Sequence, residues 1–325
     1  MAESLVVGID LGATNIRAAL GSLSSGIIRK LRRRTVGEKA EDAVSKQLID
    51  LVREVAGREL EKVQAIGIGS IGPIDVWRGA ILNPPNAPFR NVPIAEALSE
   101  EFKVPAYLVN DCAAAVLGER CFGAGKGLEN LVYVTLSSGI GGGAIVDGNL
   151  LLGKDGNAAE IGHIVVDLEG RLTCNCGGRG HWEAYCSGRG IPAFAKYLME
   201  EDPEAFRGSR LMRLAAGGKL SPESVFELAK SGDRGALKVV EEVGRLNAMG
   251  FASIINVYDP ELITVGGSIT LNNQPLILNP ILGKVKEYSV NRLPELRVTP
   301  LGEDVVLYGA IALASNPPAK LSSKP

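Results

Sequence analysis

A chain of 325 residues is about twice the ~150 that one domain usually takes, so two packed domains with a ligand cleft between them are expected. Apolar residues make up 46% and aromatics only 5%, which suits aliphatic cores, and no apolar run reaches the ~18 residues a membrane helix needs. Thirty-five basic against 37 acidic residues, a net charge of −2, exclude a general nucleic-acid binder, which carries a phosphate-neutralising excess of Lys and Arg.

The opening Met-Ala-Glu runs directly into Leu5-Val-Val-Gly-Ile-Asp10 without the charged, apolar and small-residue order of an export signal, so a cytoplasmic protein is expected. The five cysteines then point to reduced thiols or a metal site rather than a disulfide framework. Leu5 to Ile9, Ile16 to Leu20 and Ile27 to Val36 read as three strands of a meander. The basic run Arg29-Lys30-Leu31-Arg32-Arg33-Arg34 lies in the third, where it reads as a solvated strand face. A helix over Glu38 to Ala56 puts Val44, Leu48, Leu51, Val52 and Val55 on one face and ends at Gly57. A strand at Val63 to Ile68, a helix near Ile94 to Phe102, a strand at Val104 to Val109 and a helix from Asp111 complete the order βββαβαβα. The second half opens alike, with strand Leu131 to Leu136, a glycine-rich turn and strand Ala144 to Val146. Later come a long helix over Gly235 to Val257, a strand Leu262 to Val265 and a closing helix at Ala310 to Ala314. Two related halves would set two similar turns face to face across one cleft.

Those turns suit phosphate. The first is Asp10-Leu11-Gly12-Ala13-Thr14-Asn15, where the glycine admits backbone N–H groups, Thr14 and Asn15 add side-chain donors, and Asp10 can hold Mg²⁺ through water. The second is Ser137-Ser138-Gly139-Ile140-Gly141-Gly142-Gly143, a flexible run suited to wrapping a ligand with its backbone. Two dinucleotide fingerprints overlap these glycines, Gly67-x-Gly69-x-x-Gly72 and Gly139-x-Gly141-x-x-Ala144. Neither leads into a helix that could receive a pyrophosphate, which argues against a Rossmann oxidoreductase. Gly125-Lys126-Gly127 lacks the Walker A spacing.

Both histidines of the chain fall in one stretch, at His163 and His181, with Cys174 and Cys176 between them and Cys186 just beyond. One His, a Cys-x-Cys ringed by glycines and a second His are a plausible tetrahedral zinc set.

Together these pieces resemble the ROK family of sugar kinases and sugar-responsive repressors, and within it the broad-specificity hexokinases of hyperthermophilic archaea. The matching segments are Gly8 to Asn15, Gly72-Pro73-Ile74-Asp75, Asn110-Asp111, Ser137 to Gly143, Glu160-x-Gly162-His163, the cysteine segment ending in Glu183, and Gly266-Gly267. The resemblance implies an α/β, actin-like ATPase (ribonuclease H-like) fold. Residues 1–115 with 305–325 would form a small N-terminal domain closed by the C-terminal helix, and 116–304 a large domain carrying the zinc and sugar segment.

By the same resemblance the chain phosphorylates a hexose at its 6-hydroxyl with ATP and Mg²⁺, as a hexokinase or glucokinase. Asp111 matches the catalytic base, and Gly72, Asn83, Asn110, Asp111, Glu160, His163 and Glu183 form the sugar set. Asp10, Gly12, Thr14, Asn15, Ser137, Ser138, Gly139, Gly141, Gly266 and Gly267 form the ATP set, with Mg²⁺ at Asp10. Structural Zn²⁺ would be held by His163, Cys174, Cys176 and His181. His181 is a departure, since the family usually has a third cysteine there, and Cys186 is the other candidate for fourth ligand. In the family's repressors a DNA-binding segment precedes the first turn, whereas here that turn starts at Gly8. The expected partners are sugar and ATP, without nucleic acid or membrane; a homo-oligomer is left open.

The chemistry suits these residues. Phosphoryl transfer needs the γ-phosphate neutralised while a base takes the hydroxyl proton, and one carboxylate at a strand-to-helix junction suffices. Asp111 can also be read as a plain helix N-cap. A glycosidase would use Glu160 and Glu183 as paired carboxylates but would leave both phosphate turns without a role. A non-catalytic sensor would be expected to lack the base or a phosphate turn. Glucose, mannose, fructose, glucosamine and N-acetylmannosamine present similar hydroxyl arrays, so pocket volume decides among them.

Overall fold

The computed structural model describes residues 4–37, 42–84, 87 and 89–322. In chain order the first elements are β1 (Leu5–Leu11), β2 (Asn15–Ser22), β3 (Gly26–Arg34), α1 (Ala43–Ala56), β4 (Val63–Ser70), β5 (Ile74–Asp75), β6 (Ala80–Ile81), α2 (Ile94–Phe102), β7 (Ala106–Asn110) and α3 (Asp111–Cys121). There follow β8 (Leu131–Leu136), β9 (Ile140–Val146), β10 (Asn149–Leu150), α4 (Glu183–Cys186), α5 (Gly190–Glu201), α6 (Arg210–Ala216), α7 (Pro222–Lys230) and α8 (Arg234–Tyr258). The last are β11 (Leu262–Gly266), α9 (Ser268–Asn272), α10 (Gln274–Lys284), β12 (Glu295–Val298), α11 (Val305–Ser315) and α12 (Ala319–Ser322).

Two five-stranded sheets share one plan, β3-β2-β1-β4-β7 and β10-β9-β8-β11-β12. In the first, β1, β2 and β3 form the expected antiparallel meander. β4 and β7 add in parallel to β1, so Leu11, Ser70 and Asn110 end their strands along one edge. β1 is buried on both faces, which is why its sequence is a continuous apolar run rather than an alternation. Val7, Ile9 and Leu11 enter a core with the predicted α1 face. Val6 joins Ala19 and Ala65 against Leu307 and Ile311 of α11. Glycine lets that helix come close: a Cβ at Gly67 would stand 2.0 Å from the Ala310 carbonyl oxygen, and one at Gly309 would stand 1.7 Å from that of Ala114.

The chain divides into two compact units, residues 1–133 with 143–159 and 299–325, and residues 134–142 with 160–298. The boundary expected at 115 falls inside α3, which runs unbroken to Cys121. The C-terminal return begins at Thr299, not 305, because the Thr299 hydroxyl donates to the buried Glu119 carboxylate on α3. In the second unit, α8 starts where Asp233 accepts from the Ala236 N–H at 3.1 Å, and β11 pairs in parallel with β12.

Element ends differ from expectation for local reasons. β3 stops at Arg34, short of Val36, whose N–H donates to the Gln47 side chain. β7 starts at Ala106, not Val104, because Pro105 has no N–H, although its carbonyl still accepts from Ile66. The helix expected from Glu38 is described from Ala43, and residues 38–41 lie outside the described ones. The closing helix is longer than Ala310 to Ala314 at both ends. Among the described residues no helix is long and apolar enough to cross a membrane.

Candidate functional site

In the first unit, three loops leave the carboxyl edge of the β1-β4-β7 sheet, the edge where α/β sheets bind ligands. The loop after β1 is the first glycine turn. The Gly12 N–H donates to the Asn15 carbonyl at 3.0 Å, and the Thr35 hydroxyl donates to the Gly12 carbonyl at 2.8 Å, so the turn is closed by its own hairpin. Thr14 is exposed, and Asn15 accepts from the Arg32 guanidinium at 3.1 Å. Asp10, at the end of β1, is not a free carboxylate: Arg17 donates to its Oδ2 from Nε at 2.8 Å and again from an Nη. Burial pushes the Asp10 carboxyl above its ordinary value, against the opposing pull of Arg17. The basic run on β3 is exposed as expected, apart from Leu31.

The loop after β4 carries Gly72, joined to Pro73 by a cis peptide bond. A Cβ at Gly72 would stand 3.5 Å from Asn110 Nδ2 and 3.8 Å from Asn157 Oδ1. Asn157 in turn pairs with both backbone groups of Ile74. Asn83 lies exposed just past β6. After β7, Asn110 takes the N-cap of α3, its Oδ1 accepting from the Cys112 N–H at 2.9 Å. The capping reading weighed for Asp111 therefore belongs to its neighbour. Asp111 occupies the first helical position, half-buried, with Oδ1 also accepting from Cys112 at 2.8 Å.

In the second unit, the turn from Ser137 closes through the Ser137 N–H on the Gly139 carbonyl at 2.9 Å and the Gly188 N–H on the Ser137 carbonyl at 2.7 Å. Ser138 is exposed and Gly141 half-buried. The Ile140 N–H donates to Glu183 Oε2 at 2.8 Å, while the Cys174 thiol donates to Glu183 Oε1 at 3.5 Å. Expected as a sugar acceptor, Glu183 is thus also the strut between turn and cysteine segment. Gly266 ends β11, and Gly267, with φ at 85° and a would-be Cβ 2.3 Å from the Leu136 carbonyl oxygen, is a backbone necessity.

His163, Cys174, Cys176 and His181 converge, with one donor atom of each lying within 4.8 Å of all the others. Cys174 Sγ is 3.9 Å from His163 Nδ1, and Cys176 Sγ is 3.2 Å from His181 Nδ1. Tetrahedral zinc with bonds of roughly 2.0–2.3 Å spaces its donors by roughly 3.3–3.8 Å, so the set has the right donor types and is somewhat wider than such an ion would draw it. Burial pushes the Cys174 thiol up to about 12, and a cation bound beside it would favour the thiolate instead. Burial, and next the neighbouring His163, hold His181 below its ordinary value, favouring the neutral ligand form. The other nitrogen of His163, Nε2, is 3.8 Å from Glu160 Oε2. Cys186 lies apart, fully buried with its thiol on the Val243 carbonyl at 3.5 Å. Trp182, beside Glu183, is buried, donating to Asn247 at 2.8 Å and packed edge-on to Phe251.

Arg17 and Asn157 were missed in the sequence. Drawing the first hairpin with its turn at Gly12 to Thr14 places Arg17 directly opposite Asp10, so register would have found it. Asn157 reaches Ile74 from 83 residues away, which no local pattern reveals.

The model of the ROK family matches residues 6–316. A glucokinase of Pyrobaculum calidifontis is 39% identical, over 97% of this chain and 96% of its own. Two solved structures are similar at 31% identity. The ROK hexokinase of Thermus thermophilus has a TM-score of 0.82 and covers 95% of this chain and 97% of that one. A ROK family glucokinase of Streptomyces griseus, in complex with glucose and AMPPNP, has a TM-score of 0.75 and covers 95% and 99%. The resemblance drawn from the motifs and the actin-like fold it implied are both borne out.

Proposed function

The chain belongs to the ROK family, and on that premise we propose that it moves the γ-phosphoryl group of ATP to the 6-hydroxyl of glucose and related hexoses. The observation that supports this most is the shared edge of the first sheet. A closed phosphate turn after β1 and the Asn110-Asp111 pair after β7 leave strands that run parallel through β4. Similarity to glucokinases across nearly the whole chain supports the same substrate class.

The roles follow from chemistry. The Asp111 carboxylate takes the proton of the attacking hydroxyl, and Asn110, fixed as a cap, orients a neighbouring hydroxyl through its free amide. The backbone of the first glycine turn donates to phosphate oxygens, which costs little reorganisation because the turn is closed beforehand. Mg²⁺ bound with ATP would neutralise phosphate charge, and Asp10 is the residue that would hold it through water.

Zn²⁺ in the His163, Cys174, Cys176 and His181 set would rigidify the segment that ends in Glu183. His163 bound through Nδ1 then keeps an N–H at Nε2, a donor beside Glu160 for a sugar hydroxyl. Placement in the cytoplasm is part of the same reading, since the substrates are cytoplasmic metabolites.

A coupled assay of ADP release over a panel of glucose, mannose, fructose, glucosamine and N-acetylmannosamine tests the reading. ADP release that requires a hexose, with glucose among those accepted, is expected. Release indifferent to sugar, or none with any hexose, refutes it.

A further inference from the structure

Arg17 has no part in the roles above, yet it is the best-connected cation near the first turn. It lies directly across the β1-β2 ladder from Asp10. Nε and one Nη donate to the same carboxylate oxygen, Oδ2, while the other Nη is 3.4 Å from Asp304 Oδ1. Asp304 also accepts from Lys30. Both members of the Arg17–Asp10 pair are largely buried, with side chains 20% and 14% exposed. A fork of this kind fixes a carboxylate in rotation as well as in charge.

We propose that Arg17 is a positioning residue for the magnesium nucleotide: by occupying Oδ2 it presents Asp10 with Oδ1 alone toward the donor's phosphates. The inference rests on the kinase reading and adds a residue to it. An ordinary structural role is the rival, in which Arg17 merely ties the segment before α11 to the sheet through Asp304. The two roles separate because only the first runs through Asp10.

The variants are Arg17→Met, Arg17→Lys and Asp304→Asn, compared with wild type whose hexose-dependent ADP release has first been established. Equilibrium binding of a non-hydrolysable ATP analogue with and without Mg²⁺, binding of glucose alone, and the melting temperature are measured for each. Losing a charge-assisted fork should raise the Kd of the magnesium analogue in Arg17→Met by about tenfold or more. The metal-free analogue and glucose should bind as in wild type. Arg17→Lys, which keeps the charge but not the fork, should fall between, and Asp304→Asn should bind the magnesium analogue within about twofold of wild type while melting lower. Equal weakening in Arg17→Met and Asp304→Asn, or an unchanged Kd in Arg17→Met, overturns the proposal. If Arg17→Met does not fold, Arg17→Lys decides: a wild-type Kd there overturns it equally.

Discussion

The two glycine turns are alike in sequence and different in how they are held. The first is closed by near neighbours: Gly12 on Asn15, Thr35 on Gly12 and Thr14, and Arg17 on Asp10, all within one meander. The second takes its last tie from Glu183, 43 residues further on, whose other oxygen meets Cys174 of the His/Cys cluster. A turn closed by its own hairpin is preorganised as soon as the strands pair. One closed from a distance depends on the segment that supplies the carboxylate. The chemistry should therefore break at the first region without disturbing the second, and loss of metal should be felt at the second without abolishing the first.

The largest expected effect lies on the first side. Asp111→Asn, nearly isosteric, should lower kcat by about 10²–10⁴ with sugar affinity, metal content and melting temperature kept. Wild-type kcat in this variant removes Asp111 as the base.

Next comes the metal. Elemental analysis should find one zinc per chain in wild type and none in Cys176→Ser or His181→Ala. If wild type carries that zinc, both variants should also lose about 10–100-fold in sugar kcat/KM, more than in the same ratio for ATP. Zinc-free wild-type protein with full activity would reduce the segment to a structural loop.

Glu183→Ala sharpens the contrast further, because it removes the acceptor of the Ile140 N–H. Leaving that donor unpaired costs about 1–3 kcal/mol, enough to raise the ATP KM about tenfold alongside the sugar KM. An unchanged ATP KM would mean that the second turn stands without its strut.

The smallest effect belongs to Cys186→Ser. This residue is buried against α8 rather than in the cluster, so a hydroxyl there should cost about 1–2 kcal/mol on thermal melting and leave zinc content intact. Loss of metal in this variant would return Cys186 to the ligand set.

The same division describes what the sequence discloses. The meander, α1, α2 and α8 were legible because apolar spacing, and for α1 the end signal Gly57, agree locally. That His163, Cys174, Cys176 and His181 come together was legible because both histidines of the chain stand within nineteen positions of each other around a Cys-x-Cys. What stayed hidden depends on register or on distant pairing. Arg17 becomes visible only once β2 is laid against β1, and the Thr299 tie to Glu119 spans 180 residues. The double duty of Glu183 needed the turn and the cysteine segment in three dimensions.

The account's central claim is that one phosphoryl group passes from ATP to a hexose oxygen, and phosphorus NMR of the wild-type reaction tests it most directly. With ATP, Mg²⁺ and glucose, the γ-phosphorus signal should decline as a phosphomonoester signal coupled to the C6 protons grows, in amounts equal to the ADP formed. Inorganic phosphate in place of the ester, or an ester at another hydroxyl, would contradict it.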